Sequence, residues 1–142
     1  MNLRLFFDGN VNALTAQQVK DIEDFITPIQ YVTIATLNSE TGVRLSVLSS
    51  LPGQKVNELY FITDLISQKA KNILANPGAE ISYSTEMQGL VIFKGKVDIL
   101  TDTETKKAKF MPWVNEFFPK GVEDENYCVL KLNVESIRAQ LF

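Results

Sequence analysis

The residues best suited to chemistry lie in one stretch, residues 59–77, Leu-Tyr-Phe-Ile-Thr-Asp-Leu-Ile-Ser-Gln-Lys-Ala-Lys-Asn-Ile-Leu-Ala-Asn-Pro. The pattern predicts a buried strand ending at Thr63, a short turn, and a helix opening near Ser67. A helix start leaves backbone N–H groups unpaired and carries a partial positive charge. Ser67 adds a hydroxyl, and Lys69, in the first turn, adds a full positive charge. Donors and a cation at a strand-to-helix junction suit a phosphate. A first-turn cation is mildly unfavourable for an isolated helix, so a bound anion would account for it. The same residues also fit a serine cap on a solvated amphipathic helix, with Lys69 in water. The residues alone leave both readings open.

The rest of the sequence narrows what such a seat can serve. The 142 residues fit one domain, 1–142, large enough for a proper core. Apolar residues at 45% and charged residues at 22% are those of a globular protein, and a net charge of -3 argues against a nucleic-acid partner. No apolar run approaches the roughly 20 residues that span a bilayer, and the N-terminus lacks the apolar core of a secretory signal. The expectation is a cytoplasmic protein without a membrane partner. The one cysteine, Cys128, excludes an intrachain disulfide and sits in a strand-like run, where an inert core thiol is expected. There is no histidine. That removes Ser-His-Asp and Cys-His nucleophile systems and most zinc sites, and no paired carboxylates replace them. Any redox or transfer chemistry would come from a borrowed cofactor.

Around the candidate seat the pattern is mostly β. Residues 1–13 form an N-terminal segment. Residues 15–29 form a leading helix, with Thr15 as cap, Gln18 three residues on, and Val19, Ile22, Phe25 and Ile26 at helical spacing. Strands are expected at 31–37 and 43–51, joined by the turn cluster 38–42, and then at 59–63. In the second strand Val43, Leu45, Val47 and Ser49 face one way, Arg44, Ser46 and Leu48 the other. The helix from Ser67 should bury Ile66, Ala70, Ile73 and Leu74. Two strands follow, 79–85 and 90–100, and Gly95 inside the latter predicts a bulge or sharp bend. A capping box at 101–104 opens a helix to about Met111. An aromatic connection, 113–121, leads to closing strands at 127–132 and 136–142. About six to seven short-connected strands suit a small antiparallel barrel.

Together these pieces resemble the pyridoxamine 5'-phosphate oxidase-like family of FMN-binding split barrels, and within it the general stress protein 26-like branch. The likeness spans about residues 19–142. It rests on residues 31–38 followed by Gly42-Val-Arg-Leu-Ser-Val, on 61–69 with Asn76-Pro77, and on Trp113 followed by Phe118-Pro-Lys-Gly121 and Asp124. The resemblance implies a mainly β fold: a split β-barrel with Greek-key-like topology, flanking helices, and a homodimer holding FMN at the subunit interface.

It also implies roles. Arg44 would meet the phosphate or the flavin edge, as a guanidinium suits oxyanions. Leu45, Ser46 and Val47 would lie along the isoalloxazine ring. Ile62 and Thr63 would end the third strand against the phosphate or ribityl chain. Ser67, Gln68 and Lys69 would complete the phosphate seat, with Lys69 the principal cation. Trp113 would approach the flavin, and Gln88 a partner's site. The implied activity is flavin-dependent oxidoreduction of a small molecule, with a nicotinamide as electron donor. The same resemblance leaves room for a non-catalytic flavin-binding stress module, or for F420 or haem in the barrel. Two departures bear on substrate. Gln68 stands where the vitamin B6 oxidases carry Arg, with Lys71 as a possible substitute cation. Their C-terminal Arg-x-His element has no counterpart in a chain that ends Gln140-Leu-Phe142 and lacks histidine, which argues against vitamin B6 oxidation. Lys94 and Lys96 are the remaining candidates for a substrate phosphate.

Overall fold

The computed structural model describes residues 2–142. The elements run β1 (Leu5–Asn10), α1 (Ala16–Ile26), β2 (Tyr31–Asn38), β3 (Gly42–Ser49), β4 (Glu58–Asp64), α2 (Gln68–Ala75), β5 (Gly78–Thr85), β6 (Gly89–Leu100), α3 (Thr103–Ala108), α4 (Val114–Phe117) and β7 (Tyr127–Leu141). All strand pairs are antiparallel, in the order β1-β7-β6-β5-β2-β3, with β4 also on β7. Strands β5, β6 and β7 form a meander, and the earlier β2–β3 hairpin folds back beside β5. The circuit nearly closes at the β3–β4 edge, where a single bridge joins Ser50 to Phe61. Beyond that bridge the strands separate. This is a split barrel.

The leading helix forms as its sequence requires. Thr15 Oγ1 accepts from the Gln18 N–H at 3.1 Å, and Gln18 Oε1 accepts from the Thr15 N–H at 2.9 Å. This reciprocal cap satisfies two otherwise orphaned donors. Ile22, Phe25 and Ile26 then pack into the main core with Ile34, Phe61, Phe93, Leu132 and Ile137. A second, smaller cluster of Leu51, Ile62, Val114, Phe118, Tyr127 and Val129 sits at the end of β4.

Four expectations need correcting. Residues 5–10, expected only as part of an N-terminal segment, form a strand, β1, paired with the end of β7 from Leu5↔Leu141 to Asn10↔Ser136. The two closing strands are one. β7 runs unbroken for 15 residues because Glu135 is taken up as a bulge where β6 shifts register between Lys94 and Gly95. Gly95 makes this possible, since a Cβ there would collide with the Asn133 carbonyl oxygen. Ile66 and Leu74 are exposed, while Ala70, Asn72 and Ile73 are buried. The helix is short and seats on a narrow stripe, and Leu74, about 100° past Ile73, turns away. Finally, α3 is capped by Asp102, which accepts from the Thr105 N–H at 2.9 Å, and it ends at Ala108 rather than near Met111.

Candidate functional site

A cleft of about 600 Å³ opens where β3 and β4 part beyond the Ser50–Phe61 bridge. Val47, Leu48 and Ser49 form one wall and Ile62, Thr63 and Asp64 the other. Along this stretch β3 pairs only with β2, and β4 only with β7. Each strand therefore turns one unpaired edge of N–H and C=O groups toward the cleft. Such edges are strong hydrogen-bonding groups that need partners. A planar heterocycle with donors and acceptors on its rim could supply them.

Lys69 reaches the same cleft from the start of α2. The turn before it is tightly specified. Asp64 Oδ1 accepts from the Ile66 N–H at 3.0 Å, and the Ser67 N–H donates to the Asp64 carbonyl at 3.0 Å. Ser67 Oγ accepts from the Ala70 N–H at 3.2 Å, so Ser67 acts as a helix cap. The N–H groups of Gln68 and Lys69, the first two of the helix, have no protein acceptor among the described residues. They add two donors and the positive helix end to the Lys69 charge. No carboxylate lies within 4.0 Å of the Lys69 ammonium or the Arg44 guanidinium among the described residues.

Trp113 and α4 form the remaining wall with Glu116, Phe117 and Phe118. The Trp113 ring packs edge-on to Phe117, centroids 6.0 Å apart at 80°, and against the second core cluster. One side of the indole is thus anchored while the other borders the cleft.

Of the residues expected at the site, Val47, Ile62, Thr63, Lys69 and Trp113 line this cleft. Ser67 does not line it, and its hydroxyl is engaged by the cap. Gln68 is exposed, and its amide Nε2 donates to Asn72 Oδ1 at 2.8 Å. Arg44, Leu45 and Ser46 lie further along β3 and outside the cleft lining. Arg44 is the register partner of Thr36, and Thr36 Oγ1 accepts from Asn72 of α2 at 3.1 Å. Residues opposite one another in an antiparallel pair share a face, so Arg44 projects from the side of the hairpin that α2 covers. Lys94 and Lys96 border a separate concavity of about 350 Å³ with Glu80 and Glu135. Gln88 is exposed at the β5–β6 turn.

Sequence reasoning missed Tyr31, Ser49, Asp64, Glu116 and Phe117 in the lining. Tyr31 is recoverable once the hairpin register is known, since it stands opposite Ser49. Glu116 and Phe117 carry no local signal, because a connection that reads as irregular forms α4. Cys128 is buried, its Sγ 3.4 Å from the Thr63 carbonyl oxygen. Burial first, then the nearby Asp64 charge, pushes its pKa up to about 12, so it is no nucleophile.

The fold defines a class: split β-barrels whose seam between two strands stays open. The family model described as pyridoxamine 5'-phosphate oxidase like matches residues 17–139, and the chain belongs to that family. Solved structures share the fold. A protein from Clostridium acetobutylicum related to general stress protein 26 of B. subtilis superposes with a TM-score of 0.79 at 13% identity, covering 90% of this chain and 91% of its own. A pyridoxamine 5'-phosphate oxidase-related, FMN binding protein from Nostoc punctiforme gives 0.66 at 18% identity, covering 88% and 83%. A structure described as an F420 reductase gives 0.62 at 18%, covering 81% and 94%. No curated protein matches the sequence. Among the described residues no helix is long and apolar enough to cross a membrane.

Proposed function

We propose that this chain binds FMN in the cleft at the β3–β4 seam and, as a homodimer in the cytoplasm, carries out flavin-dependent oxidoreduction of a small molecule. One observation carries the reading. Two unpaired strand edges and the Lys69 charge converge on a single cleft, with the free amide donors of the α2 start beside Lys69. The strand edges suit the polar rim of a flat ring system, and the helix start with Lys69 suits a phosphate. Family membership and the FMN-binding relative point the same way.

In this reading Val47, Ile62 and Trp113 hold the ring by packing and backbone contact. Thr63 and Lys69 hold the ribityl and phosphate end, and Arg44 adds a second cation from the face beneath α2. Ser67 contributes by fixing the helix start, and Gln68 through its backbone N–H. Leu45 and Ser46 extend the β3 wall toward the hairpin tip. Bound FMN would supply hydride and electron transfer, with a nicotinamide as the natural donor. The protein orients the ring and excludes water from one face. F420 is the other cofactor in view, since one structure of the same fold is described as an F420 reductase.

A second copy is expected because the outer face of the β2–β3 hairpin is apolar and bare. Val43, Leu45 and Val47 are 64%, 72% and 63% exposed, and Leu37 and Tyr31 extend the same stripe. Patches of this kind mark interfaces. A non-catalytic flavin module is the alternative, since no histidine stands in the cleft and its two carboxylates, Asp64 and Glu116, make no hydrogen bond to each other among the described residues.

The test is a visible absorption titration of purified protein with FMN, where uptake gives a shifted flavin spectrum. Lys69→Ala should weaken the complex by about 1–3 kcal/mol, the usual loss for a charge-assisted hydrogen bond. Protein that leaves the FMN spectrum untouched overturns the reading. Steady-state turnover with NADH or NADPH and an acceptor rules against the module alternative.

A further inference from the structure

We propose that Asn72 is a positioning residue for the phosphate end of the cleft, locking the helix start that carries Lys69 to the hairpin that carries Arg44. The proposal rests on the flavin-binding reading above and concerns a residue that touches neither the cleft nor its contents. Asn72 is 3% exposed, in the middle of α2. Its side chain makes three hydrogen bonds in three directions. Nδ2 donates to Thr36 Oγ1 on β2 at 3.1 Å. Oδ1 accepts from Asn38 Nδ2 at 2.9 Å and from Gln68 Nε2 at 2.8 Å.

Each partner is itself tied to the site. Asn38 ends β2, and its Oδ1 accepts from the Glu40 and Thr41 N–H groups at 2.9 and 3.0 Å, fixing the hairpin turn. Thr36 stands opposite Arg44 in the β2–β3 register. Gln68 is the first residue of α2, next to Lys69. One buried amide therefore joins the hairpin tip, the strand beside Arg44 and the first turn bearing Lys69.

Packing alone does not require this. Ala70 and Ile73 already seat α2 by apolar contact. Apolar contacts are non-directional and let a short helix slide or roll, whereas three hydrogen bonds of fixed geometry do not. A buried polar group is costly unless it is bonded, and both polar atoms of this amide have partners. It also gives Gln68 a role as a tie in the helix start. Asn72 thereby fixes the helix start that carries Lys69 against the hairpin that carries Arg44.

The experiment compares FMN with riboflavin, which has the same ring and ribityl chain but no phosphate. In Asn72→Leu, which keeps the side chain's heavy-atom count and branching and removes all three bonds, FMN affinity should fall roughly tenfold, the size of one charge-assisted hydrogen bond, while riboflavin affinity changes less than about twofold. Thr36→Val removes one bond, should shift the same ratio in the same direction, and decides the matter should Asn72→Leu not fold. An equal loss for both flavins, or no loss, overturns the positioning role while leaving FMN binding intact. Wild-type protein that takes up neither flavin overturns the flavin reading and this proposal with it.

Discussion

Strands β7 and β3 carry the same alternating pattern and end in opposite conditions. In β7, Leu130, Leu132, Val134, Ile137, Ala139 and Leu141 are all buried. β6 covers one edge, and β4 and then β1 cover the other. In β3, Val43, Leu45 and Val47 are as apolar and stand in water, with β2 on one edge and the cleft on the other. Alternation states that a face is meant to be covered without stating by what. In β7 the cover is the chain's own barrel. In β3 it is the ligand at the edge and a second copy on the face, as we propose.

The largest effects should come from the β7 side. Phe61 is fully buried on β4, opposite Leu130, and it also forms the one bridge to Ser50 at the seam. Phe61→Ala should cost about 3–5 kcal/mol, the range for emptying an aromatic core site. Denaturant unfolding measures it, and a loss below about 1 kcal/mol would mean that this half of the barrel is looser than its packing shows.

A change on the β3 face should reverse that profile. Leu45→Glu should leave the unfolding free energy of the monomer within about 0.5 kcal/mol, as is usual at exposed positions. In the proposed dimer it would bury an unpaired charge, so dissociation should strengthen by about a hundredfold, as at interface hot spots. Sedimentation across a concentration series reads both states. If wild-type protein is monomeric at every concentration, the bare stripe is not a self-interface.

How much of this was legible follows the same division. Local signals were read well: the Thr15–Gln18 cap, the β2–β3 hairpin around the 38–42 turn, the strand-to-helix junction at Ser67 and the bulge at Gly95. What failed was nonlocal. β1 is six residues whose partner lies at the other end of the chain, so no short window shows it. The join in β7 was hidden because Asn133-Val134-Glu135 reads as a break, and it becomes a bulge only against Gly95. The cleft itself belongs to no segment. It exists because β3 and β4 part after a single bridge, so Val47 and Thr63 were found through family likeness while Asp64 and Phe117 were not. Asn72 carries no sequence signal of its own, and only the fold turns it inward.

The smallest effect separates a buried group from a working one. Cys128 is paired in register with Thr63, which lines the cleft. Its thiol is pushed up to about 12 from an ordinary 9.0 by burial and then by the Asp64 charge. A group raised on folding contributes stability that is fully present below its unfolded pKa and is lost as pH rises through the folded value. Stability should therefore be flat for this group at pH 8 and decline between about pH 9 and pH 12. Tyr83 and Tyr127, raised by burial to about 12 from 10.0, decline over the upper part of the same window. Unfolding free energies of wild type and Cys128→Ala, measured from pH 8 upward, isolate the cysteine: the variant starts lower from lost packing but falls less steeply. Parallel slopes would show a thiol that ionises in the folded state as easily as in the unfolded one.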